Sequence, residues 1–409
     1  MEIKIIMLVL AALVGAYRIV LGVVQYRSAN NPTPANVADV FDSETYTKWK
    51  KYSAENCRLD IISSVVSCIV TLSLLASNAY AGFAALFPRG IFAQLFAVVL
   101  LETLVDTFFS VIWSYISTMK IEEKYGFNRT TAKTFVIDCI RNTLISFGVS
   151  LGLVCLLSFL HLSMGNWMIL LFAVVVFVFI LLVSFLYPIL SRIGNKFVPL
   201  EEGELKDKLM ELLTKHGYTV KAIEVMDASR RTTKLNAYFT GFGKMKTIVL
   251  YDNLVNAMST EEICAVFAHE LGHGLNKDVL KQQTMNFGSI FIMAVLVWVA
   301  VISPVFHTQF GFEEVNYGFA YIIIGIWLGI VNPFIGILTN AYSRFAEYRA
   351  DAQAVKENYG LALVTALKKL AKENFAHLSP APLNVIMEYS HPPLSARIER
   401  IEQECAKMQ

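Results

Sequence analysis

Seven apolar runs, each about as long as a membrane-crossing helix, punctuate the chain at roughly 5–25, 60–82, 91–117, 142–163, 167–190, 286–306 and 317–341. A helix needs about 20 mostly apolar residues to cross the hydrocarbon core. The pattern therefore predicts a predominantly α, polytopic membrane protein with seven transmembrane helices. Only Met164 to Asn166 separate the fourth and fifth runs, so these two should pack as an antiparallel hairpin. The first run, Ile5 to Val24, lacks a small-residue cleavage site, which predicts a retained span rather than a removed signal.

Two polar stretches between and after these runs are long enough to fold. The pattern divides the chain into a five-span membrane region (1–192), a polar segment (193–285), spans six and seven (286–341) and a C-terminal helical segment (342–409). In the first polar stretch, the periodicity predicts a helix over Glu201 to His216. Strands follow at Thr219 to Met226 and Asn236 to Tyr251, the latter broken by a turn at Gly241-Phe242-Gly243. A final helix opens at Ser259-Thr260-Glu261-Glu262, where Ser259 and Glu262 have the spacing of a capping box.

Composition sharpens this picture. The chain is 55% hydrophobic and 17% charged, against roughly 25% charged for soluble domains. A net charge of +2, with no basic stripe carrying interleaved aromatics, excludes a nucleic-acid partner. The cysteines at 57, 68, 139, 155, 264 and 405 form no CxxC pair, so all six are read as unpaired. Lysine and arginine are distributed unevenly among the short loops. Arg27, Lys48, Lys50, Lys51, Arg58, Lys120, Lys124, Arg129, Lys133 and Arg141 lie on one side of the membrane, and only Lys4 and Arg89 on the other. The positive-inside rule then places the N-terminus outside and both polar segments in the cytoplasm.

The candidate chemistry lies in the capped helix, which reads Ala268-His269-Glu270-Leu271-Gly272-His273. Positions i and i+4 share a helix face, so both imidazoles can reach one ion. Glu270 stands beside them and can take a proton from water at that ion, the HExxH arrangement of zinc peptidases. The expected third ligand is Glu347, in a polar segment continuing helically from the seventh run. Asp351 lies one turn further on. One of these carboxylates can bind the metal, while the other accepts a hydrogen bond from the spare N–H of a ligating histidine. Spans six and seven separate His273 from Glu347, so the chain returns to the same face of the membrane. Three protein ligands leave a fourth position open, as in catalytic rather than structural zinc sites. The expected cofactor is one Zn²⁺ per chain.

With these residues in place, the sequence resembles the Ste24-type CAAX prenyl proteases of the M48 metallopeptidases. The motifs carrying the resemblance are Glu123 to Thr131 (EKYGFNRTT), Asn236 to Gly241 (NAYFTG), the AHELGH helix, Ser343-Arg344 with Glu347 and Ala350-Asp351, and Ser390-His391-Pro392-Pro393 with Arg397-Ile398. The resemblance implies helices enclosing a water-filled chamber, with a small α+β zinc-peptidase domain on the cytoplasmic face. It implies endoproteolysis near the C-terminus of lipidated or membrane-associated substrates. Asn236, Ala237 and Tyr238 would form a strand that pairs with substrate backbone, a general mode of peptide capture. His391 and Arg397 would lie near metal and substrate. Asp351 would serve catalysis by orienting His269, with proton donation as the alternative. Partners are a peptide or protein substrate and the lipid bilayer, in the endoplasmic reticulum if eukaryotic or the inner or plasma membrane if bacterial. Competing readings are an HtpX-like quality-control protease and a non-enzymatic transporter or receptor. The latter would use the costly intramembrane pair Glu102 and Asp106, which should face protein or a water cavity.

Overall fold

The apolar runs fold as helices, and polar flanks extend several of them. The computed structural model describes residues 2–190, 192, 195–218, 222–240 and 247–408. The chain opens with α1 (Glu2–Ser28) and α2 (Ser43–Ala76), which pack on each other. Helix α2 starts far earlier than its apolar run because Asp42 caps it, Oδ1 accepting from Thr45 N at 2.8 Å. It also stops short of residue 82, because Asn78 takes a left-handed conformation (φ 59°) and a separate short helix, α3 (Ala79–Ala84), follows. Helix α4 (Ile91–Ser114) runs through a π-helical stretch, Tyr115–Glu122, into the single turn α5 (Glu123–Tyr125). Helices α6 (Ala132–Met164) and α7 (Met168–Leu190) meet at the 3₁₀ turn Gly165–Trp167.

Among the described residues, six helical stretches are long and apolar enough to cross a bilayer, and one of them, Ala132–Val183, includes both α6 and most of α7. At most 28% of any of these apolar windows is buried within the protein. The inward side chains, including Met7, Leu75, Leu95, Met168, Phe310 and Phe319, form one core. Two cavities of about 540 and 510 Å³ open between the helices, and Glu102 lines both. Glu102 Oε2 accepts a hydrogen bond from Tyr80 OH at 2.5 Å, which answers part of the cost of a carboxylate at that depth.

The polar segment contains β1 (Phe197–Pro199), α8 (Glu204–Lys215), β2 (Ala222–Met226), β3 (Ala237–Thr240) and β4 (Thr247–Tyr251). The strands form a sheet in the order β1-β2-β4-β3. The β2–β4 pair is parallel and the other two pairs are antiparallel. The predicted turn at Gly241-Phe242-Gly243 and the start of the predicted strand at Thr219 lie outside the described residues. Leu209, Leu213, Ile248, Leu250, Ile263 and Phe267 join the sheet to its covering helices in a second core.

Next come α9 (Asp252–Ala257), α10 (Thr260–Leu275), α11 (Asp278–Ile302) and α12 (Val305–Thr308). They are followed by α13 (Tyr317–Lys356), α14 (Gly360–Glu373), α15 (Pro382–Met387) and α16 (Leu394–Ala406). The 40 residues of α13 span about 60 Å at 1.5 Å per residue, twice a hydrocarbon core of about 30 Å. The helix thus carries its polar end well beyond its apolar part. A third core of Val37, Trp49, Leu378 and Ile398 fastens the connection after α1 to the C-terminal segment. Tyr125 and Phe127 of the YGFN motif pack beside Phe375, with the Phe127 and Phe375 rings 4.9 Å apart.

Candidate metal centre

Helix α10 begins as its sequence dictates. Ser259 Oγ accepts from Glu262 N at 3.3 Å, and Glu262 Oε2 accepts from Ser259 N at 2.8 Å. Lys369 on α14 ties the same carboxylate down at 2.6 Å. From there α10 is buried on most sides, with Ala265 and Ala268 fully covered among Ala354, Val355 and Leu363. Small residues let α10 cross α13 closely. A Cβ at Gly272 would stand 2.8 Å from Ala350 Cα, so glycine is required at the contact. That crossing brings the HExxH face against the turn of α13 that carries Glu347.

The three expected ligands converge. His269 Nε2 lies 3.5 Å from Glu347 Oε2, and His273 Nε2 lies 3.3 Å from Glu347 Oε1. One nitrogen or oxygen from each of the three residues falls within 4.8 Å of the others. A tetrahedral zinc site with bonds of about 2.0–2.1 Å has ligand–ligand edges of about 3.4 Å. The observed separations match that spacing. Glu347 is buried, yet its Oε2 has no hydrogen-bond partner among the described residues. A buried carboxylate oxygen that accepts no hydrogen bond is costly, and a cation between the two imidazoles would join the nearby Arg397 guanidinium in stabilising it. The donor set therefore fits a zinc ion. Burial disfavours charge on His273, but Glu347 and Asp278 beside it outweigh that and push its pKa up to about 9.

The surrounding groups hold these ligands in place. Asp351 Oδ1 is 2.9 Å from His269 Nδ1. Arg397 grips Asp351 from the other side, Nε to Oδ2 at 3.0 Å and Nη2 to Oδ1 at 2.6 Å. Its Nη1 also stands 3.3 Å from Glu347 Oε2. The exposed His391 reaches the rim of the site, with Nε2 3.3 Å from Glu347 Oε1. Arg344 Nη1 donates at 2.7 Å to the carbonyls of both Val385 and Tyr389, fixing the segment that leads to His391. Glu270 is half-buried on α10 between the two histidines.

Asn236, Ala237 and Tyr238 lie at and within β3, the end strand of the sheet among the described residues, and Ala237 packs against the core that includes Ile263 and Phe267 of α10. Asn236 O accepts from Tyr251 N at 3.1 Å, and Leu235 N donates to Asn374 Oδ1 at 2.9 Å, which anchors the start of β3. Among the described residues, no hydrogen bond joins Asn236 or Ala237 to the histidine cluster.

Sequence reasoning missed Asp278, Tyr342 and Arg349. Asp278 Oδ2 is 3.1 Å from His273 Nδ1. It lies past the end of α10, beyond the left-handed Lys277 (φ 55°), so helical spacing gives no hint of the contact. A second carboxylate near the motif was the available signal.

Comparison with known proteins places this geometry in a class. Residues 199–405 match the model of peptidase family M48, and residues 24–192 match that described as CAAX prenyl protease N-terminal, five membrane helices. The chain belongs to peptidase family M48, and it is a membrane metallopeptidase. It is 30% identical to the Arabidopsis thaliana CAAX prenyl protease 1 homolog over 91% of each chain. It is 29% identical to CAAX prenyl protease 1 of Saccharomyces cerevisiae, covering 90% of this chain and 88% of that one. Its structure is similar to the crystal structure of S. mikatae Ste24p, with a TM-score of 0.92, 26% identity, and coverage of 98% of this chain and 99% of that one.

Proposed function

We propose that this chain is a zinc endopeptidase of the CAAX prenyl protease type, cleaving near the C-terminus of lipidated or membrane-associated substrates. The observation that carries the reading is the convergence of His269, His273 and Glu347 at tetrahedral spacing, around a buried carboxylate oxygen that accepts no hydrogen bond. The relatives' names supply the substrate class. The match over 24–192 favours this type over an HtpX-like protease or a transporter.

His269, His273 and Glu347 hold one zinc per chain. When bound, the zinc supplies Lewis-acid polarisation and makes water a nucleophile near neutral pH. Glu270 takes the proton from the attacking water and hands it to the leaving amine. Asp351 orients His269, and its bidentate grip by Arg397 supports that role over proton donation. His391 and Arg397 bind substrate beside the ligands, His391 from the exposed rim and Arg397 from its buried place 3.3 Å from Glu347. The free side of β3 at Asn236, Ala237 and Tyr238 pairs with extended substrate backbone, so sequence preference is loose.

The chain crosses the membrane seven times, with α6 and α7 as separate spans around a chamber. The ten-to-two loop charge bias puts the peptidase segment on the cytoplasmic side. The four-part division at 192, 285 and 341 follows from that arrangement. The test uses sealed, oriented vesicles. A cysteine placed at Asn236 should label from the cytoplasmic side, and labelling from the other side alone overturns the orientation. Membrane-anchored peptides should be cut faster than soluble peptides of the same sequence, and equal rates overturn the substrate class.

A further inference from the structure

Each histidine of the centre has its own carboxylate, and each carboxylate has its own arginine. Asp351 with Arg397 serves His269. On the opposite side, Asp278 Oδ2 meets His273 Nδ1 at 3.1 Å. The other oxygen of Asp278 accepts from Tyr342 OH at 2.9 Å and from Arg349 Nη2 in a close ion pair. Asp278 is buried, at 7% exposure. It is the first residue of α11, an apolar helix long enough to span a bilayer. The left-handed Lys277 folds α11 back so that Asp278 faces the histidine five residues before it. Tyr342 and Arg349 sit two turns apart on α13, flanking Glu347 on the same helix.

We infer that Asp278 is a positioning residue for the metal centre: it fixes His273 with Nδ1 protonated and Nε2 turned to the site, and couples that ligand to the packing of α11 on α13. The inference rests on the zinc-peptidase reading above. A carboxylate accepting from Nδ1–H leaves the Nε2 lone pair free for a metal and raises the ring's basicity as a ligand. Tyr342 and Arg349 hold that carboxylate from the helix that supplies Glu347, so a shift of α11 against α13 would move His273 relative to Glu347. Asp351 cannot substitute, because Arg397 and His269 engage both of its oxygens.

The test measures zinc affinity by chelator competition on the full-length protein in detergent or nanodiscs. The wild type is compared with Asp278→Asn, Asp278→Glu and Tyr342→Phe. Visible spectra of the cobalt-loaded forms and thermal unfolding of the metal-free forms accompany it. Asp278→Asn should weaken zinc binding about 10–100-fold and shift the cobalt spectrum while the metal-free melting temperature holds. Asp278→Glu should recover most of the affinity, and Tyr342→Phe should lose a few-fold in the same direction. Zinc affinity within about threefold of wild type in Asp278→Asn, well short of the expected loss, overturns the inference if the cobalt spectrum is also unchanged. If Asp278→Asn does not fold, Tyr342→Phe decides, and unchanged affinity and spectrum there overturn it. A wild type that binds no zinc overturns this inference and the functional reading together. Tight zinc in both the wild type and Asp278→Asn, with an unchanged cobalt spectrum, overturns this inference alone.

Discussion

Helices α7 and α10 both pack buried residues against the protein, but they differ in what surrounds the rest of their surface. In α7, Phe172, Ala173 and Val176 face the core while Val174, Val178 and Leu182 stand exposed. That is tolerable only where the surrounding solvent is itself apolar. Helix α10 is nearly surrounded by protein, yet it carries Glu262, His269, Glu270 and His273. Three of these have firm polar partners, from Ser259 and Lys369 at the cap to Asp351 and Asp278 at the histidines. Buried polar groups must be paired, and the pairing specifies how α10, α11 and α13 sit together. Apolar side chains thus select the medium for one helix, while polar partners select the geometry of the other.

The largest effect should come from Glu270, the acid on α10 to which the proposed function gives a chemical role. Glu270→Gln is expected to keep zinc and to lose about 10²–10⁴-fold in turnover, the usual contribution of a general base. Metal analysis and peptide cleavage on one sample check both halves.

Close packing at the crossing of α10 and α13 gives a second test. Gly272→Ala drives a Cβ to 2.8 Å from Ala350 Cα and 3.0 Å from Gln353 Cβ. It should cost about 1–3 kcal/mol and weaken the metal site, read by thermal unfolding and zinc retention. Gly288→Ala in α11, where an added Cβ meets nothing within 4 Å, should leave both unchanged.

The two media separate next. Val178 in α7 and Leu361 in α14 are 55% and 73% exposed. Val178→Lys should cost about 2.5–3.5 kcal/mol of membrane insertion, whereas Leu361→Lys should stay within about 0.5 kcal/mol. An insertion assay and a melting curve measure the pair. Equal, small costs would break the assignment of α7 to lipid.

The smallest expected effect is a pH dependence at the junction of α1 with the C-terminal segment. Burial holds the pKa of His377 down, from 6.5 to about 4. Its ring accepts from Ser379 N at 3.2 Å through Nδ1 and meets Ser28 Oγ at 2.8 Å through Nε2. The folded state favours the neutral ring. The stability it contributes is complete above the unfolded value of about 6.5 and is lost as pH falls toward 4. Unfolding followed across that window should show the loss in the wild type and a flatter response in His377→Asn.

The sequence made local features readable and left distant ones hidden. The capping box and the HExxH face depend on three- and four-residue spacings, so both could be read directly. Glu347 was accessible because two apolar runs lie between it and His273, the spacing expected of a chain that returns to the same side of a membrane. The start of α2 at Ser43 was not readable, because polar residues continue that helix well ahead of the apolar run. Nor was its end at Ala76, since the break depends on the left-handed Asn78 inside a run that stays apolar. Asp278 was hidden for a related reason: its contact with His273 requires a left-handed lysine, which carries no compositional signal. Phe375 likewise gathers Phe41, Tyr52 and Phe127 from distant segments, a role only tertiary packing reveals.

The central claim is that α10 and α13 together hold one catalytic metal through His269, His273 and Glu347. The most direct measurement is zinc per chain after extensive dialysis for the wild type, Glu270→Gln, His273→Ala and Glu347→Ala, each checked for folding. About one zinc is expected in the first two, with strong loss in the last two. Full zinc retention in a folded Glu347→Ala protein would contradict the account.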